Sequence, residues 1–214
     1  MVRLTKSALP PNVTIESEQD YRQSEVFDIL VEDCHRKCYI CEDKPTAINV
    51  EHIVPCHSNP ALKYNWDNLF IACGHCNNTK LAKFDDIINP TQCDPEEYIA
   101  LSVEITNNLL DRVNVESLMT DNSTHLTAEL LTLVYNDGST SIKKIECSNL
   151  RNEHLVPNIR TFLQYINNYR EEPELGYDTI ISKEINRSSA FAAFKRKIVR
   201  DDPELSLKFA DLLK

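Results

Sequence analysis

Two Cys-x-x-C pairs constrain the fold of this 214-residue chain more than any other feature of its sequence. Each pair forms a loop in which two sulfur atoms can approach one metal ion, and four thiolates in tetrahedral geometry complete a structural zinc site. The pairs are Cys38-Tyr-Ile-Cys41 and Cys73-Gly-His-Cys76. They lie 31 residues apart, whereas the pairs of a plain zinc ribbon are about 15–20 residues apart. The spacing therefore predicts a zinc site with a further unit inserted between its halves.

The chain has eight cysteines, and its first residues lack the long apolar stretch of a secretory signal. This combination favours metal binding or free thiols over disulfides. Four ordinary buried thiols are the alternative to a zinc site. Cys34, four residues before Cys38, is a substitute ligand in principle, although we expect it to pack in a helix.

Composition excludes several classes of protein. Hydrophobic residues make up 42% of the chain and charged residues 26%, which predicts a folded core rather than disorder. Only three glycines are present, and no Gly-rich phosphate-binding motif occurs. No apolar run approaches the ~20 residues of a membrane span, so we expect a soluble, cytoplasmic protein with no membrane partner.

The net charge of −10 disfavours indiscriminate coating of nucleic acid, because an acidic surface repels phosphates. The charge is unevenly distributed, however. Residues 183–200 contain six basic side chains and one acidic side chain. This segment is either a solvated helix face or a contact for nucleic acid or a partner.

Hydrophobic periodicity and turn residues predict the order of elements. An amphipathic helix over 17–35 precedes the first cysteine pair, and Phe27, Leu30, Val31 and Cys34 fall on one face. The following segments read as strand 46–54, strand 69–72 and helix 77–88. After a boundary near residue 92, the pattern predicts a helix over 95–113, strands over 126–147 around an Asn-Asp-Gly turn, and helices over 149–172 and 183–200.

The segment between the cysteine pairs carries a specific constellation. It contains Glu51-His52-Ile53-Val54-Pro55 and Asn65-Trp66-Asp67-Asn68-Leu69, and Asn77-Asn78-Thr79-Lys80 follows the second pair. Together with the cysteines, these fragments resemble the HNH nuclease motif over residues 38–80. The resemblance implies a ββα-metal finger that hydrolyses phosphodiester bonds.

The resemblance also assigns roles to individual residues. His52 is the candidate general base, since the pKa of imidazole suits removal of a proton from water near neutral pH. Glu51 and Asn77 match the family's ligands for a catalytic Mg²⁺ or Mn²⁺, which prefers oxygen ligands. Asn68 matches the asparagine that fixes the loop and orients the histidine. Lys80 matches a terminal basic residue that contacts a phosphate.

One geometric difficulty accompanies these assignments. Adjacent residues of a regular strand face opposite sides, yet Glu51 and His52 must serve one site, so the strand must twist or end there. Trp66 is expected to pack under the finger. The remaining histidines are expected to be surface or packing residues, with His57 the nearest alternative to His52; they are His35, His57, His75, His125 and His154.

A closer resemblance covers most of the chain in outline. The first twelve residues, CYICE, WDNLFIACGHCNNTK, FDDIINP, DPEEYI and ECSNLRNEHLVPNIR are similar to the HNH nuclease subunits of Septu-type anti-phage systems, including retron-associated versions. The resemblance implies an ABC-type ATPase partner and a nucleic-acid substrate, either invading DNA or tRNA. It does not distinguish between these substrates.

We therefore expect an α+β protein in which a zinc-stapled ββα-metal finger is followed by a mostly helical C-terminal region with a small hairpin. Residues 1–92 are the predicted nuclease domain, with its core at 38–84, and residues 93–214 are the predicted partner-docking region. Two other functions stay open: a stand-alone restriction-type or homing-type HNH nuclease, and a non-catalytic zinc-knuckle module that binds nucleic acid or protein.

Overall fold

The computed structural model of the chain describes residues 1–56, 59–105 and 112–214. The first half of the chain contains four helices, two strands and a 3-10 turn among its described residues. They are α1 (Glu18–Arg22), α2 (Ser24–Asp33), β1 (Ile48–His52), α3 (Pro60–Lys63), the 3-10 turn Trp66–Asn68, β2 (Leu69–Cys73) and α4 (Gly74–Lys80).

The second half is mainly helical. It contains β3 (Ile99–Val103), β4 (Val113–Ser117), α5 (Asn122–Asn136), α6 (Ser141–Asn149), α7 (Val156–Glu171), α8 (Tyr177–Glu184), α9 (Ala192–Asp201) and α10 (Pro203–Lys208). A π-helical turn, Leu150–Leu155, joins α6 to α7. Short 3-10 turns lie at Pro95–Glu97, Pro173–Leu175 and Ala210–Leu212. The α+β class and the mostly helical C-terminal region are confirmed.

Strands β1 and β2 and helix α4 form the ββα unit that positions the candidate site. The strands pair antiparallel, in a register that runs from Ile48 opposite Cys73 to His52 opposite Leu69. Helix α4 begins at Gly74, directly after β2, and packs on both strands. The order strand, loop, strand, helix predicted for this part of the chain is confirmed.

The helix predicted over 77–88 differs from α4 at both ends. The helix begins earlier because the Cys73 sulfur caps it, accepting the backbone N–H of Cys76 at 3.4 Å. It stops at Lys80 because Leu81 has a φ of 44°, outside the helical region. The helix predicted over 17–35 is also interrupted, since Gln23 is extended between α1 and α2.

Two predictions for the second half are wrong. Residues 99–103 form strand β3 rather than part of a helix over 95–113; residues 106–111 of that prediction lie outside the described residues. The strands predicted over 126–147 are the helices α5 and α6. The Thr- and Val-rich sequence of α5 suits a strand by propensity, but its buried side chains recur every three or four residues; they are Thr124, Thr127, Leu130, Leu131 and Val134.

One apolar cluster contains side chains from both sides of residue 92. Leu69 and Phe70 of β2 belong to it, together with Leu130 and Tyr135 of α5 and Phe194 of α9. A smaller cluster lies among helices α7 to α10. The finger is therefore packed directly onto the C-terminal helices.

The basic segment 183–200 is largely an internal ion-pair region, which neither interpretation of its sequence anticipated. Lys195 is only 1% exposed and pairs with Glu184. Arg196 is equally buried, and its Nε lies 2.7 Å from a carboxylate oxygen of Glu96. These charges face the protein interior because acidic partners meet them, Glu184 from within the segment and Glu96 from the turn before β3.

Among the described residues, no helix is both long enough and apolar enough to cross a membrane.

Candidate metal centre and active site

The four cysteines of the two Cys-x-x-C pairs converge on one point. Their sulfur atoms all lie within 4.8 Å of one another. The sulfurs of Cys41 and Cys73 are 3.9 Å apart, and a Zn–S bond of about 2.3 Å implies a tetrahedral edge of about 3.8 Å. The donor set therefore fits a zinc ion held by four thiolates; the ligands would be Cys38, Cys41, Cys73 and Cys76.

Backbone hydrogen bonds shape the two loops that present these sulfurs. In the first loop, the Glu42 N–H donates to the Cys38 carbonyl and the Cys38 N–H donates to the Asp43 carbonyl, both at 2.9 Å. In the second, the Cys76 N–H points at the Cys73 sulfur. Such turns aim two sulfurs of each pair toward the same point.

The thiol cluster favours a negatively charged sulfur. Hydrogen bonds from Cys38, Cys41 and Cys76 hold the pKa of the Cys73 thiol far below its usual range. Burial raises the pKa of Cys76. A bound cation would draw the others into the thiolate form. Cys34 is not part of the cluster; burial raises the pKa of its thiol to about 11, in keeping with the packing role expected of it.

Helices α5 and α6 contact the two loops that carry the four cysteines. The Tyr135 hydroxyl of α5 donates to the Cys41 carbonyl at 2.7 Å. His75, between the ligands of the second loop, donates from Nε2 to the Val134 carbonyl at 2.8 Å and lies 3.3 Å from Glu146. Burial opposes the charge on His75, but its hydrogen bonds raise its pKa to about 9. His75 is thus a packing residue, as expected.

A cleft of about 200 Å³ lies beside the metal centre and brings together three of the predicted catalytic residues. Glu51 and His52 both line it although they are neighbours in sequence, and His52 is the last residue of β1. Asn77 enters from helix α4. The full lining consists of Glu51, His52, Pro55, Cys56, Asn77, Leu81 and Ala82.

The imidazole of His52 is held in one tautomer. Its Nε2 lies 2.9 Å from the Lys63 carbonyl oxygen, which can only accept, so Nε2 carries the proton and Nδ1 is the basic nitrogen. The ring of Tyr21 packs edge-on against the imidazole, with centroids 6.3 Å apart. Helix α1 reaches the same place through Glu18, which pairs with the Lys63 ammonium at 2.8 Å.

Glu51 is held by the ammonium of Lys80. The Lys80 Nζ lies 3.0 Å from Glu51 Oε1 and donates to the His52 carbonyl at 2.8 Å. Burial raises the pKa of Glu51, and Lys80 opposes that rise. Lys80 is 0% exposed, so the structure places it under the cleft rather than at the surface where a phosphate contact was expected.

Asn68 fixes the loop that follows β1. Its Oδ1 accepts the Val54 N–H at 2.8 Å, and its Nδ2 donates to the carbonyls of Val54 and Leu62 at 2.9 and 3.0 Å. Asn68 is only 4% exposed, so these three hydrogen bonds are shielded from water. This arrangement matches the loop-fixing role that the family resemblance implies, although Asn68 does not line the cleft itself.

The cleft offers oxygen ligands to a hard cation. Asn77 is half-buried, and its side-chain amide has no hydrogen bond to any described residue. Glu51 contributes a carboxylate whose Oε2 is not the atom bonded to Lys80. One carboxylate and one amide, with water filling the remaining positions, suit Mg²⁺ or Mn²⁺.

Several residues near the site were not anticipated from the sequence. Lys63 contributes a backbone carbonyl, a group that every residue has, so no sequence signal could single it out. Tyr21 and Tyr39 belong to segments of the predicted helix and the first cysteine pair, and no pattern in the sequence gives either a role at the site. Trp66 is half-buried beneath the Lys6 ammonium, 3.7 Å from its ring centroid. His57 lies outside the described residues.

Comparison with known proteins gives two findings. Residues 32–83 match the HNH endonuclease family. The chain is also 35% identical over 79 residues to the Septu protein PtuB of Bacillus thuringiensis, a match that covers 34% of this chain and 31% of that relative. The match thus spans about a third of the relative's length. No solved structure matches the chain.

Proposed function

Because residues 32–83 form an HNH endonuclease domain, we propose that this chain hydrolyses phosphodiester bonds of nucleic acid with the help of a divalent cation. The observation that carries the proposal is the cleft in which Glu51, His52 and Asn77 meet beside four converging thiols. Together these three side chains supply the two functions that phosphodiester hydrolysis requires, a general base and ligands for a divalent cation.

His52 acts as the general base. With the proton fixed on Nε2 by the Lys63 carbonyl, Nδ1 accepts a proton from the attacking water. As that proton arrives, the imidazolium is stabilised by the same carbonyl. Asn68 keeps residues 54 and 62 of the surrounding loop in place, which limits movement of the base.

Glu51 and Asn77 would hold the catalytic Mg²⁺ or Mn²⁺. When bound, such a cation neutralises the negative charge that gathers on the phosphate and on the leaving 3′-oxygen. Lys80 orients the Glu51 carboxylate from below, and this positioning role replaces the direct phosphate contact that the family resemblance implied. The four cysteines would hold a structural Zn²⁺ that fixes α4 against β2.

We further propose that the chain is the effector nuclease of an anti-phage defence complex with an ABC-type ATPase, acting on DNA or tRNA in the cytoplasm. The likeness to a Septu protein supports this role. A net charge of −10, together with a basic segment that is engaged in internal ion pairs, disfavours tight binding of polyanions by the chain alone. Residues 93–214 would provide the docking region for the ATPase.

Two alternatives make different predictions. A stand-alone restriction-type nuclease would cleave at full rate without a partner. A zinc-knuckle binding module would not respond to added divalent cation, and the intact set of Glu51, His52, Asn68 and Asn77 argues against it.

The test is to incubate the zinc-loaded chain with plasmid DNA and with total tRNA, in Mn²⁺ or in EDTA. We expect cleavage in Mn²⁺ only, and a loss of at least 100-fold in His52→Ala, since general base catalysis contributes about 10²–10⁴-fold. His125→Ala, an exposed histidine of α5, is the matched control and should cleave like wild type. Equal cleavage by wild type and His52→Ala would remove His52 as the base.

The same assay with the co-encoded ATPase tests the partner. A gain in cleavage rate on adding the ATPase is the expected result. If the isolated chain already cleaves at the rate of the mixture, the stand-alone nuclease is favoured. If neither preparation cleaves while zinc is bound, the binding module is favoured.

A further inference from the structure

The hydroxyl of Tyr39 is an enclosed polar group that the proposed reaction leaves unused. Tyr39 lies inside the first cysteine pair and is only 3% exposed. Its hydroxyl is buried and has no hydrogen-bond partner among the described residues. Phenylalanine would fill the same space without the cost of desolvating a hydroxyl, so the fold gains nothing from this oxygen.

The sheet register places this hydroxyl on the side of the sheet that carries Glu51. The Tyr39 ring packs on the Phe70 ring with centroids 4.9 Å apart. Phe70 is the direct cross-strand partner of Glu51 in the antiparallel pair, and directly opposed residues project from the same face. Tyr39, Phe70 and Glu51 thus share one side of β1 and β2.

Glu51 also meets Lys80, whose Nζ lies 3.0 Å from Glu51 Oε1. Apart from burial, the Glu51 carboxylate is the strongest influence that raises the pKa of Tyr39, which agrees with their proximity. The Lys80 ammonium already donates to Glu51 and to the His52 carbonyl.

We propose that Tyr39 is a positioning residue for Glu51, whose carboxylate accepts a hydrogen bond from the Tyr39 hydroxyl when Glu51 holds the catalytic cation. The inference rests on the proposed role of Glu51 as a cation ligand. Carboxylates that bind metal ions are themselves held by hydrogen bonds from the surrounding protein.

A neutral donor suits this task better than the ammonium does. A divalent cation at Glu51 repels the nearby Lys80 ammonium, because both are positively charged. The two also compete for the same carboxylate. The Tyr39 hydroxyl can support the carboxylate without adding positive charge. Lys80 would hold Glu51 in the absence of the cation, and Tyr39 would take over part of that role in its presence.

The test uses Tyr39→Phe in the full, zinc-loaded chain. Without added Mg²⁺ or Mn²⁺, its thermal unfolding midpoint should equal or exceed that of wild type, because an unpaired buried hydroxyl has been removed. The Mn²⁺ concentration that gives half of the maximal rise in this midpoint should increase about tenfold, the lower end of the usual effect of losing such a hydrogen bond. The Mn²⁺ concentration for half-maximal cleavage should increase in parallel.

Tyr135→Phe is the matched control. Tyr135 of α5 is also buried and contacts the same cysteine loop, but its hydroxyl donates a hydrogen bond to the Cys41 carbonyl. Its loss should lower the unfolding midpoint and leave the Mn²⁺ dependence unchanged. Tyr39→Phe should therefore weaken the Mn²⁺ response without loss of stability, whereas Tyr135→Phe should lose stability without a change in the Mn²⁺ response.

Three outcomes are distinguishable. A weaker Mn²⁺ response confined to Tyr39→Phe supports the inference. If wild type responds to Mn²⁺ and Tyr39→Phe responds identically, the inference is overturned while the proposed catalytic site stands. If the wild-type chain shows neither a Mn²⁺-dependent midpoint nor cleavage, the cation site and the inference built on it both fail.

Discussion

The Glu51 carboxylate is largely buried, and burial disfavours its negative charge. The side chain is 12% exposed, and burial raises its pKa, so the carboxylate depends on the Lys80 ammonium 3.0 Å away. Lys80 in turn is wholly enclosed and relies on Glu51 for its own compensation. Neither charge is stable in this position without the other, and together they tie strand β1 to helix α4.

This mutual dependence predicts the behaviour of a double-mutant cycle. Lys80→Met should lower the free energy of unfolding by about 3 kcal/mol, since it leaves a largely buried carboxylate without its partner. Glu51→Gln combined with Lys80→Met should recover most of that loss, because both charges are gone. Urea denaturation measures the free energies.

Cleavage assays provide the second readout of the cycle. The double variant should be stable and inactive, because Glu51 is a cation ligand in the proposed mechanism. If both single substitutions destabilised the chain independently and additively, the two side chains would not be energetically coupled.

At the scale of elements, the ββα unit was predictable because its signals are local. Two cysteine pairs, a β-branched stretch after Pro45 and a short apolar run before Cys73 fix the order of strands and helix. The convergence of Glu51, His52 and Asn77 on one cleft followed from the family resemblance. Periodicity alone would have placed Glu51 and His52 on opposite faces, whereas both line one cleft at the end of β1.

The errors have physical causes as well. Helix α5 contains Thr and Val at positions whose propensity favours a strand, yet tertiary packing of its buried face decides its conformation. The hydrogen bond of His52 to the Lys63 carbonyl and the enclosed position of the Tyr39 hydroxyl arise only in the folded chain. Neither can be recognised in a linear sequence.

At the scale of elements, the four-cysteine cluster is the feature that metal removal tests most directly. Prolonged treatment with a strong zinc chelator should abolish cleavage and lower the unfolding midpoint, because the loop of Cys38 and Cys41 would lose the ion that joins it to β2 and α4. Cys73→Ser should have the same effect. The measurement is zinc content together with circular dichroism.

Cys93→Ser is the control for that substitution. Cys93 is half-buried and lies outside the four-sulfur cluster. It should retain zinc and unfold near the wild-type midpoint. Full stability of Cys73→Ser without bound zinc would exclude a structural role for the ion.

At the scale of the whole molecule, acidic and basic side chains distant in sequence form internal pairs. Glu96 accepts from Arg196 and also from Arg200, whose Nη1 lies 2.7 Å from its Oε1. Both arginines belong to α9, and Glu96 precedes β3. The link therefore joins the sheet β3–β4 to the last part of the chain.

A substitution in α9 should consequently affect folding rather than substrate binding. We expect Arg196→Met to lower the free energy of unfolding by about 3 kcal/mol, since Glu96 would lose a buried partner. Lys183→Met, an exposed lysine of the same basic segment, should change it by less than about 0.5 kcal/mol. Urea denaturation compares the two.

Measuring nucleic-acid binding at several salt concentrations distinguishes a structural role of the basic segment 183–200 from a role in contacting phosphates. If folded Arg196→Met bound nucleic acid with a smaller salt dependence than wild type, the segment would be a phosphate contact after all. An unchanged salt dependence is the expected result.

The attachment of the finger to the C-terminal helices bears on whether residues 32–83 can fold apart from the rest of the chain. Tyr135 and His75 fasten the cysteine loops to α5, and Phe70 shares its apolar surroundings with Leu130. A fragment cut at residue 92 would leave these surfaces bare to water. We therefore expect catalytic competence to reside in the long chain and not in its recognisable motif, so that transplanting the motif alone would yield an insoluble peptide instead of an enzyme.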